Sequence, residues 1–392
     1  MKVLVINSWS QSLKYQLYDE EIVIAKWQIE RIWNNDAILS YEKEWYKKTK
    51  TILAIMNHNE ALKSIFDKIT NSENGAISDI KEIEAVWHRV VHGWEYFKWP
   101  VVINDDVINK IEELSELAPL HNPASLIWIK ICNEILGVPQ VAVFDTSFHQ
   151  TMTAESYLYA IPNKYYDKYK LRRYGFHGIS HQYVTETISQ IITRKDLKII
   201  SCHVWNWASI CAIKDGKSLI TSMWFTPLEW LVMWSRSGDI DAWAVLFLME
   251  KEWLSTKEMN NILNKESGVA GLSWYGGDLR PIEDGHIAKS EKETIIMNIY
   301  INQIAKYIWS YYILLWWCDV ITFTAWVLEN SPYMRKLLVE KLACLGVYID
   351  DNANDCRGKK VLISNNDSKI PLWVIPTDEE SIIVKSTISL LA

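Results

Sequence analysis

Glycine is scarce in this chain: 14 residues of 392, where an average share of roughly 7% would give about 27. Basic charge is also short. Lys and Arg number 41 against 48 Asp and Glu, for a net charge of -7, so no global positive field favours nucleic acid, and any anionic ligand must be met locally. The six cysteines, Cys132, Cys202, Cys211, Cys318, Cys344 and Cys356, include no CxxC pair, which argues against a disulfide frame or a zinc site and for reduced thiols. Long apolar runs are missing as well. The longest, Tyr311 to Cys318, is far below the 18 or more residues of a membrane span, and Val3 to Ile6 is too short for a signal peptide. A soluble, cytoplasmic protein is expected, with no nucleic-acid or membrane partner.

Tryptophan is in excess, with 21 residues. Together the Trp and Gly counts come close to an ordinary glycine share, which makes the excess and the deficit look like one fact. Tryptophan also stands in turns where a phosphate-binding protein uses glycine: Ser8-Trp9-Ser10, Trp205-Asn206-Trp207, and the Trp224 to Trp234 segment.

A chain of this length suggests two domains, and no low-complexity linker or short repeat interrupts it. Lys2 to Asn7, a Ser-rich turn and the alternating Leu13 to Tyr18 read as strand, turn, strand. Helical patterns cover about Asn57 to Thr70 and Asp106 to Leu117, and Gln140 to Phe144 is a buried-type strand ending at Asp145. A second strand, turn, strand start follows at Lys198 to Val204, with Asp215-Gly216 as a hairpin signal between Ile210 to Ile213 and Ser218 to Ser222. Ser255 to Glu258 is a capping box, Asp319 to Thr324 a buried strand, and Ser331-Pro332 a helix start. Strands alternating with helices give an α/β class, and the two similar beginnings suggest two related halves.

Eight motifs in order then carry a resemblance to the acetate kinase family from Met1 to about Thr387. They include Asn7 to Lys14, His88 to Gly93, Leu117 to Pro123, Phe144 to His149, Arg173 to Gly178, Ser235 to Asp241, Phe323 to Asn330 and Ile375 to Glu380. The resemblance implies the duplicated actin-like ATPase (ribonuclease H-like) fold, with two domains closing over a cleft. The first would run over residues 1–148 and be completed by 378–392; the second would span 149–377. It further implies a homodimer, and reversible transfer of the ATP γ-phosphate to acetate, with Mg²⁺ as the metal and Mn²⁺ as an alternative.

Phosphoryl transfer asks for anion positioning and charge neutralisation rather than covalent chemistry, and Arg and His supply both. By resemblance Arg89 holds acetate, Arg236 and His177 stabilise the transition state, and His121 and His203 are neighbours in the site. Asp145 matches the family's catalytic acid. Acetate is already ionised at neutral pH, since carboxyl groups titrate near about 4, so a base has no proton to remove, and a role in placing Mg²⁺ or orienting Arg or phosphate is preferred. Asn7 and Glu379 match the magnesium positions. Lys14, the turn His203, Val204, Trp205, Asn206, Trp207, then Asp278, Leu279, Arg280, and the loop Trp326, Val327, Leu328, Glu329, Asn330 match the ATP/ADP positions. Val91, Leu120, Phe176 and Pro227 match the pocket for the acetate methyl. One methylene is worth only about 1–3 kcal/mol there, so propionate should also be accepted, more weakly, and a propionate or butyrate kinase is the alternative reading.

The resemblance places glycine at Trp9, Trp87, Trp94, Trp205, Trp207, Trp224, Trp230, Trp234, Trp274, Trp316, Trp317 and Trp326. Three explanations compete: a catalytically dead homologue, a Trp-rich stacking surface, or UGA codons read as glycine in the source and written here as Trp. Only the third accounts for excess and deficit together, and the intact Arg, His, Asp and Asn positions favour it over the first. Leu328, at a further glycine position of the family, is not explained in this way.

Overall fold

The computed structural model describes residues 1–8, 12–30, 34–43, 49–55, 57–116, 121–273, 275 and 278–391. The chain divides into two compact units, Met1–Ser147 with Asp378–Ala392, and Phe148–Thr377.

In the first unit, eight strands form one mixed sheet: β1 (Lys2–Ser8), β2 (Ser12–Asp19), β3 (Ile22–Glu30), β4 (Asn34–Lys43), β5 (Thr49–Ile55), β6 (Ala85–Val90), β7 (Val101–Val102) and β8 (Gln140–Phe144), in the order β5-β4-β3-β2-β1-β6-β8-β7. β1 to β5 make an antiparallel meander, while β1, β6 and β8 run parallel. Parallel neighbours need crossovers, and helices supply them. The segment between β1 and β6 includes His58–Ile69; the one between β6 and β8 includes Asp105–Glu113 and Asn122–Leu136. The central strands are buried on both faces: Leu4, Ile6, Tyr15, Trp27 and Ile65 pack in one cluster, and Val90, Phe97, Ile111, Ile129 and Phe144 in another.

The second unit repeats the plan with six strands: β9 (Lys198–Val204), β10 (Ala208–Lys214), β11 (Lys217–Thr221), β12 (Val320–Thr324), β13 (Val361–Leu362) and β14 (Leu372–Val374), ordered β11-β10-β9-β12-β14-β13. Again three strands are antiparallel, β11-β10-β9, and three parallel, β9-β12-β14, with an antiparallel edge strand beyond. β3-β2-β1-β6-β8-β7 and β11-β10-β9-β12-β14-β13 thus follow one topology. Val184, Ile188, Ile199, Ile213 and Val320 form part of its core.

Local signals in the sequence have local outcomes. Asn57 caps the helix His58–Ile69 by accepting from the Glu60 N–H, and Ser255 with Glu258 forms a complete capping box. Asp215 and Gly216 both take positive φ, 52° and 74°, as the two-residue turn joining β10 and β11 requires. The helix expected to reach Leu117 ends at Glu113 and continues as a 3₁₀ turn to Glu116. No helix among the described residues is long and apolar enough to cross a membrane, and all six cysteines are free thiols.

Candidate active site

In the first unit the carboxyl ends of the parallel strands collect the polar groups, the usual place for ligands in such sheets. Asn7 lies near the end of β1, Arg89 on β6, and Asp145 directly after β8. The Arg89 guanidinium donates through Nε to Asp145 Oδ1 at 2.9 Å and through Nη2 to Asp145 Oδ2, and through Nη1 to Asn7 Oδ1 at 3.1 Å. All three side chains are buried, at 3%, 2% and 5% exposure for Arg89, Asp145 and Asn7, so the pair is not screened as a surface ion pair would be. The side-on bidentate grip fixes the plane of the guanidinium.

Glu379 opens the helix Glu379–Leu391 and feels the same cluster. Burial, and the nearby charges of Asp145 and Glu380 against the opposing Arg89, push its carboxyl up to about 7. Lys14 on β2 pairs in register with Asn7 and is exposed. Among the described residues no three His, Cys, Asp or Glu side chains converge as an all-protein metal cage. Asn7, Asp145 and Glu379 nonetheless offer oxygen donors only, the set that suits Mg²⁺, an ion that keeps several of its waters.

The second unit presents histidines and hydroxyls at the matching place. His177 caps the helix Gly178–Ile192 with a left-handed backbone, φ 56°, a conformation that costs on the order of 1–2 kcal/mol outside glycine. Gly175, two residues earlier, has φ 76°, and a side chain there would collide with Thr221 and His149. His177 and His203 stack with ring centroids 4.2 Å apart. His203 Nδ1 meets Ser180 Oγ at 2.8 Å, and Ser180 meets Thr377 Oγ1 at 3.0 Å. His177 Nδ1 meets Ser209 Oγ at 2.9 Å; Ser209 also meets His181 Nε2 at 2.8 Å, and His181 Nδ1 meets Ser201 Oγ at 2.9 Å. Burial holds the His181 ring well below its ordinary pKa and lowers His149 to about 4.

Arg236 is buried at 8% exposure and donates from Nη1 to the Pro227 carbonyl at 3.2 Å. Its guanidinium lies over the Trp207 ring, 4.4 Å from the centroid, and burial lowers its pKa to about 10. Among the described residues no carboxylate pairs with it, so this cation differs sharply from Arg89.

The expected nucleotide positions divide. The turn after β9 is closed by Trp205 N–H to Trp207 C=O at 3.2 Å, and Trp234 N–H donates to Asn206 C=O at 3.1 Å. Trp205 and Trp326 are exposed, at 43% and 53%. Val204, Val327 and Leu328 turn their side chains into the core, so any nucleotide contact from them is through the backbone. Asp278 and Arg280 pair with each other at the surface, 2.6 Å apart, around Leu279. The Glu329 carboxylate points inward, accepting from Ala325 N–H at 2.6 Å, Thr324 Oγ1 at 3.3 Å and Thr377 N–H at 2.9 Å. Residues 326–330, expected as a loop, lie in the short helix Ala325–Asn330, and Glu329 Oε1 ties that helix to residue 377, as a partly buried carboxylate takes the nearest backbone donors. Asn330 turns back to the Trp326 carbonyl, 2.9 Å away.

Of the methyl-pocket positions, Val91 and Phe176 are buried at 7% and 4% exposure, Pro227 is half-buried, and Leu120 lies outside the described residues, as do Trp9 and Trp274. His121 is the residue before the helix Asn122–Leu136. Sequence reasoning missed His181, Ser201 and Ser209. The signal available was His181 four residues after His177, and the alternation of Ser201 with His203 along a buried strand.

The two units share one topology, the first holding a buried Arg-Asp-Asn cluster and the second a hydrogen-bonded His-Ser cluster and a buried arginine. The model described as "Acetokinase family" matches residues 2–385. The chain belongs to the acetokinase family. It is 46% identical over 392 residues to the acetate kinase of Halothermothrix orenii, covering 99% of this chain and 98% of that protein. Among solved structures, the acetate kinase of Porphyromonas gingivalis superposes with a TM-score of 0.93 at 39% identity, covering all of both chains. A propionate kinase from Francisella tularensis gives 0.91 at 34% identity and 98% coverage of each chain. Membership makes this chain a kinase with a carboxyl group as acceptor, built on two mixed α/β sheets of the actin-like ATPase type.

Proposed function

We propose that this chain transfers the γ-phosphoryl group of ATP to acetate, giving acetyl phosphate and ADP, and runs the reaction in both directions with Mg²⁺. The observation that carries the reading is the buried Arg89–Asp145–Asn7 cluster at the strand ends, in a chain matched over its whole length by the family. Arg89 binds the acetate carboxylate, oriented for it by Asp145. That use of Asp145 agrees with an acceptor that has no proton to lose at neutral pH, its carboxyl titrating near about 4. Asn7, Asp145 and Glu379 hold Mg²⁺, which neutralises phosphate charge when bound. Arg236 and His177 meet the charge that builds on the transferred group, the larger part of catalysis in such reactions. Lys14, the turn 203–207, Asp278 to Arg280 and residues 326–330 of the short helix Ala325–Asn330 bind the nucleotide. Val91, Leu120, Phe176 and Pro227 surround the methyl group.

In the same reading the two units are the N- and C-terminal acetokinase domains, and the enzyme works as a homodimer in the cytoplasm. Glycine is the native residue at the tryptophans that occupy the family's glycine positions. Three of the eleven non-glycine residues with positive φ among those described are tryptophans at those positions, Trp94 at 51°, Trp230 at 115° and Trp316 at 67°, and a fourth tryptophan, Trp253 at 54°, lies outside them. A bulky side chain rarely takes such a backbone, whereas glycine takes it without cost.

The test is acetyl phosphate formation, trapped as the hydroxamate, by two full-length proteins: the chain as written and one with glycine at the twelve family positions. Activity in the second supports both proposals. Activity in neither overturns the functional reading, and full activity in the first overturns the glycine reading. Propionate is the second substrate to assay, given the similarity to a propionate kinase.

A further inference from the structure

We infer that Ser201, His181 and Ser209 form a directional hydrogen-bond relay that keeps the proton of His177 on Nε2, making these three positioning residues for the reaction. The inference rests on the proposed role of His177 at the transferred phosphoryl group.

Ser201, His181 and Ser209 are fully buried, each at 0% exposure. The Ser201 hydroxyl has a single hydrogen-bond partner among the described residues, His181 Nδ1 at 2.9 Å. A hydroxyl has one hydrogen to give, and a buried donor left without an acceptor costs about 1–3 kcal/mol. Ser201 therefore donates, and His181 Nδ1 must be the bare nitrogen. A neutral imidazole carries one proton, which places it on His181 Nε2, 2.8 Å from Ser209 Oγ. Ser209 accepts there, and its own hydrogen goes to its other partner, His177 Nδ1, at 2.9 Å.

With Nδ1 accepting, a neutral His177 holds its proton on Nε2. The opposite direction satisfies fewer groups. A proton on His177 Nδ1 would turn the Ser209 hydrogen toward His181 Nε2, shift the His181 proton to Nδ1, and leave the Ser201 hydrogen with no acceptor. The same reversal would accompany an imidazolium at His177. The relay thus selects a neutral donor and disfavours a cationic one. Stacking on His203 at 4.2 Å holds the ring plane, and the relay settles which nitrogen carries the hydrogen.

The experiment is two-bond ¹⁵N–¹H correlation NMR on the full-length protein labelled at histidine, with His177 assigned by the signals lost in His177→Gln. The expected result is a neutral Nε2–H tautomer at His177. An Nδ1–H tautomer or an imidazolium at neutral pH would overturn the inference. Ser209→Ala should give mixed tautomers and a kcat lower by roughly 10- to 100-fold, with KM for acetate and ATP changed less than about two-fold; Ser209→Thr, which keeps the hydroxyl, should restore both. Ser201→Ala is a second variant one link further away, expected to mix the tautomers of His181 as well. An unchanged His177 spectrum in both alanine variants overturns the relay. The tautomer is read without turnover, so inactivity of both the written and the glycine-restored protein would sink the functional reading while the spectrum still decides this one.

Discussion

At the carboxyl ends of β1, β6 and β8 the first unit gathers full charges, whereas at the end of β9 the second gathers histidine rings and hydroxyls, with Arg236 lying over Trp207 in the turn that follows. The strand plan is shared, so the difference lies in the side chains. Arg89 is locked by a buried carboxylate and an amide, while Arg236 is buried against a carbonyl and an indole face. In the proposed function, one guanidinium is held for a small carboxylate and the other meets charge that arrives with substrate. That proposal divides a duplicated scaffold into a half that orients and a half that stabilises.

Paired substitutions break that comparison most strongly. Arg89→Ala should lower kcat/KM by at least about 10³-fold and also destabilise the protein by about 3–5 kcal/mol, because Asp145 is left as an uncompensated buried charge. Arg236→Ala should lower kcat by about 10²–10³-fold with a stability change near 1 kcal/mol, the scale of the single hydrogen bond lost. Urea unfolding beside the hydroxamate assay separates the two outcomes. Equal destabilisation by both variants would contradict the division of roles.

Acid should unfold the protein through its neutral rings. His88 and His149 are pulled by burial to about 4, and His181 well below its ordinary value. The unfolded chain binds protons near about 6.5 and the folded one does not, so their stability contribution is intact above that pH and is lost as pH falls toward 4. Each should cost about 1–2 kcal/mol between pH 7.5 and 5, read from the urea midpoint. His149→Gln should flatten this dependence in part. Two of the three rings belong to the second unit, so its amide protons should lose protection from exchange first.

Smaller effects sharpen the picture. Val91→Ala should raise the propionate-to-acetate ratio of kcat/KM by about 10-fold, the scale of a methylene in such a pocket. Trp316 is 87% exposed with φ 67°, so Trp316→Gly should be neutral or stabilise by up to about 1 kcal/mol. A loss beyond that would show the indole to be part of the native fold.

What was legible in the sequence was what short-range chemistry writes. Ser255 with Glu258, and Asp215 with Gly216, announce their cap and their turn because the partners lie within three residues. Asp145 could be placed at a strand end from the apolar run before it. Its grip on Arg89, 56 residues away, follows only from the parallel register of β6 and β8. Glu329 Oε1 accepts from Ala325 and from Thr377, which lies 48 residues off, a tie that no local pattern announces. The relay of Ser201, His181 and Ser209 was hidden for the same reason, since β9 and β10 had to be paired before their hydroxyls could meet one imidazole.

In the proposed function, the charged cluster of one unit and the histidine cluster of the other serve a single phosphoryl transfer. The most direct measurement is acetyl phosphate formation from acetate and MgATP by the full-length glycine-restored protein, with Arg89→Ala and Arg236→Ala in that background. Turnover in the parent and its loss in both variants is the expected result. No turnover in the parent, or turnover that survives removal of either arginine, would contradict the account.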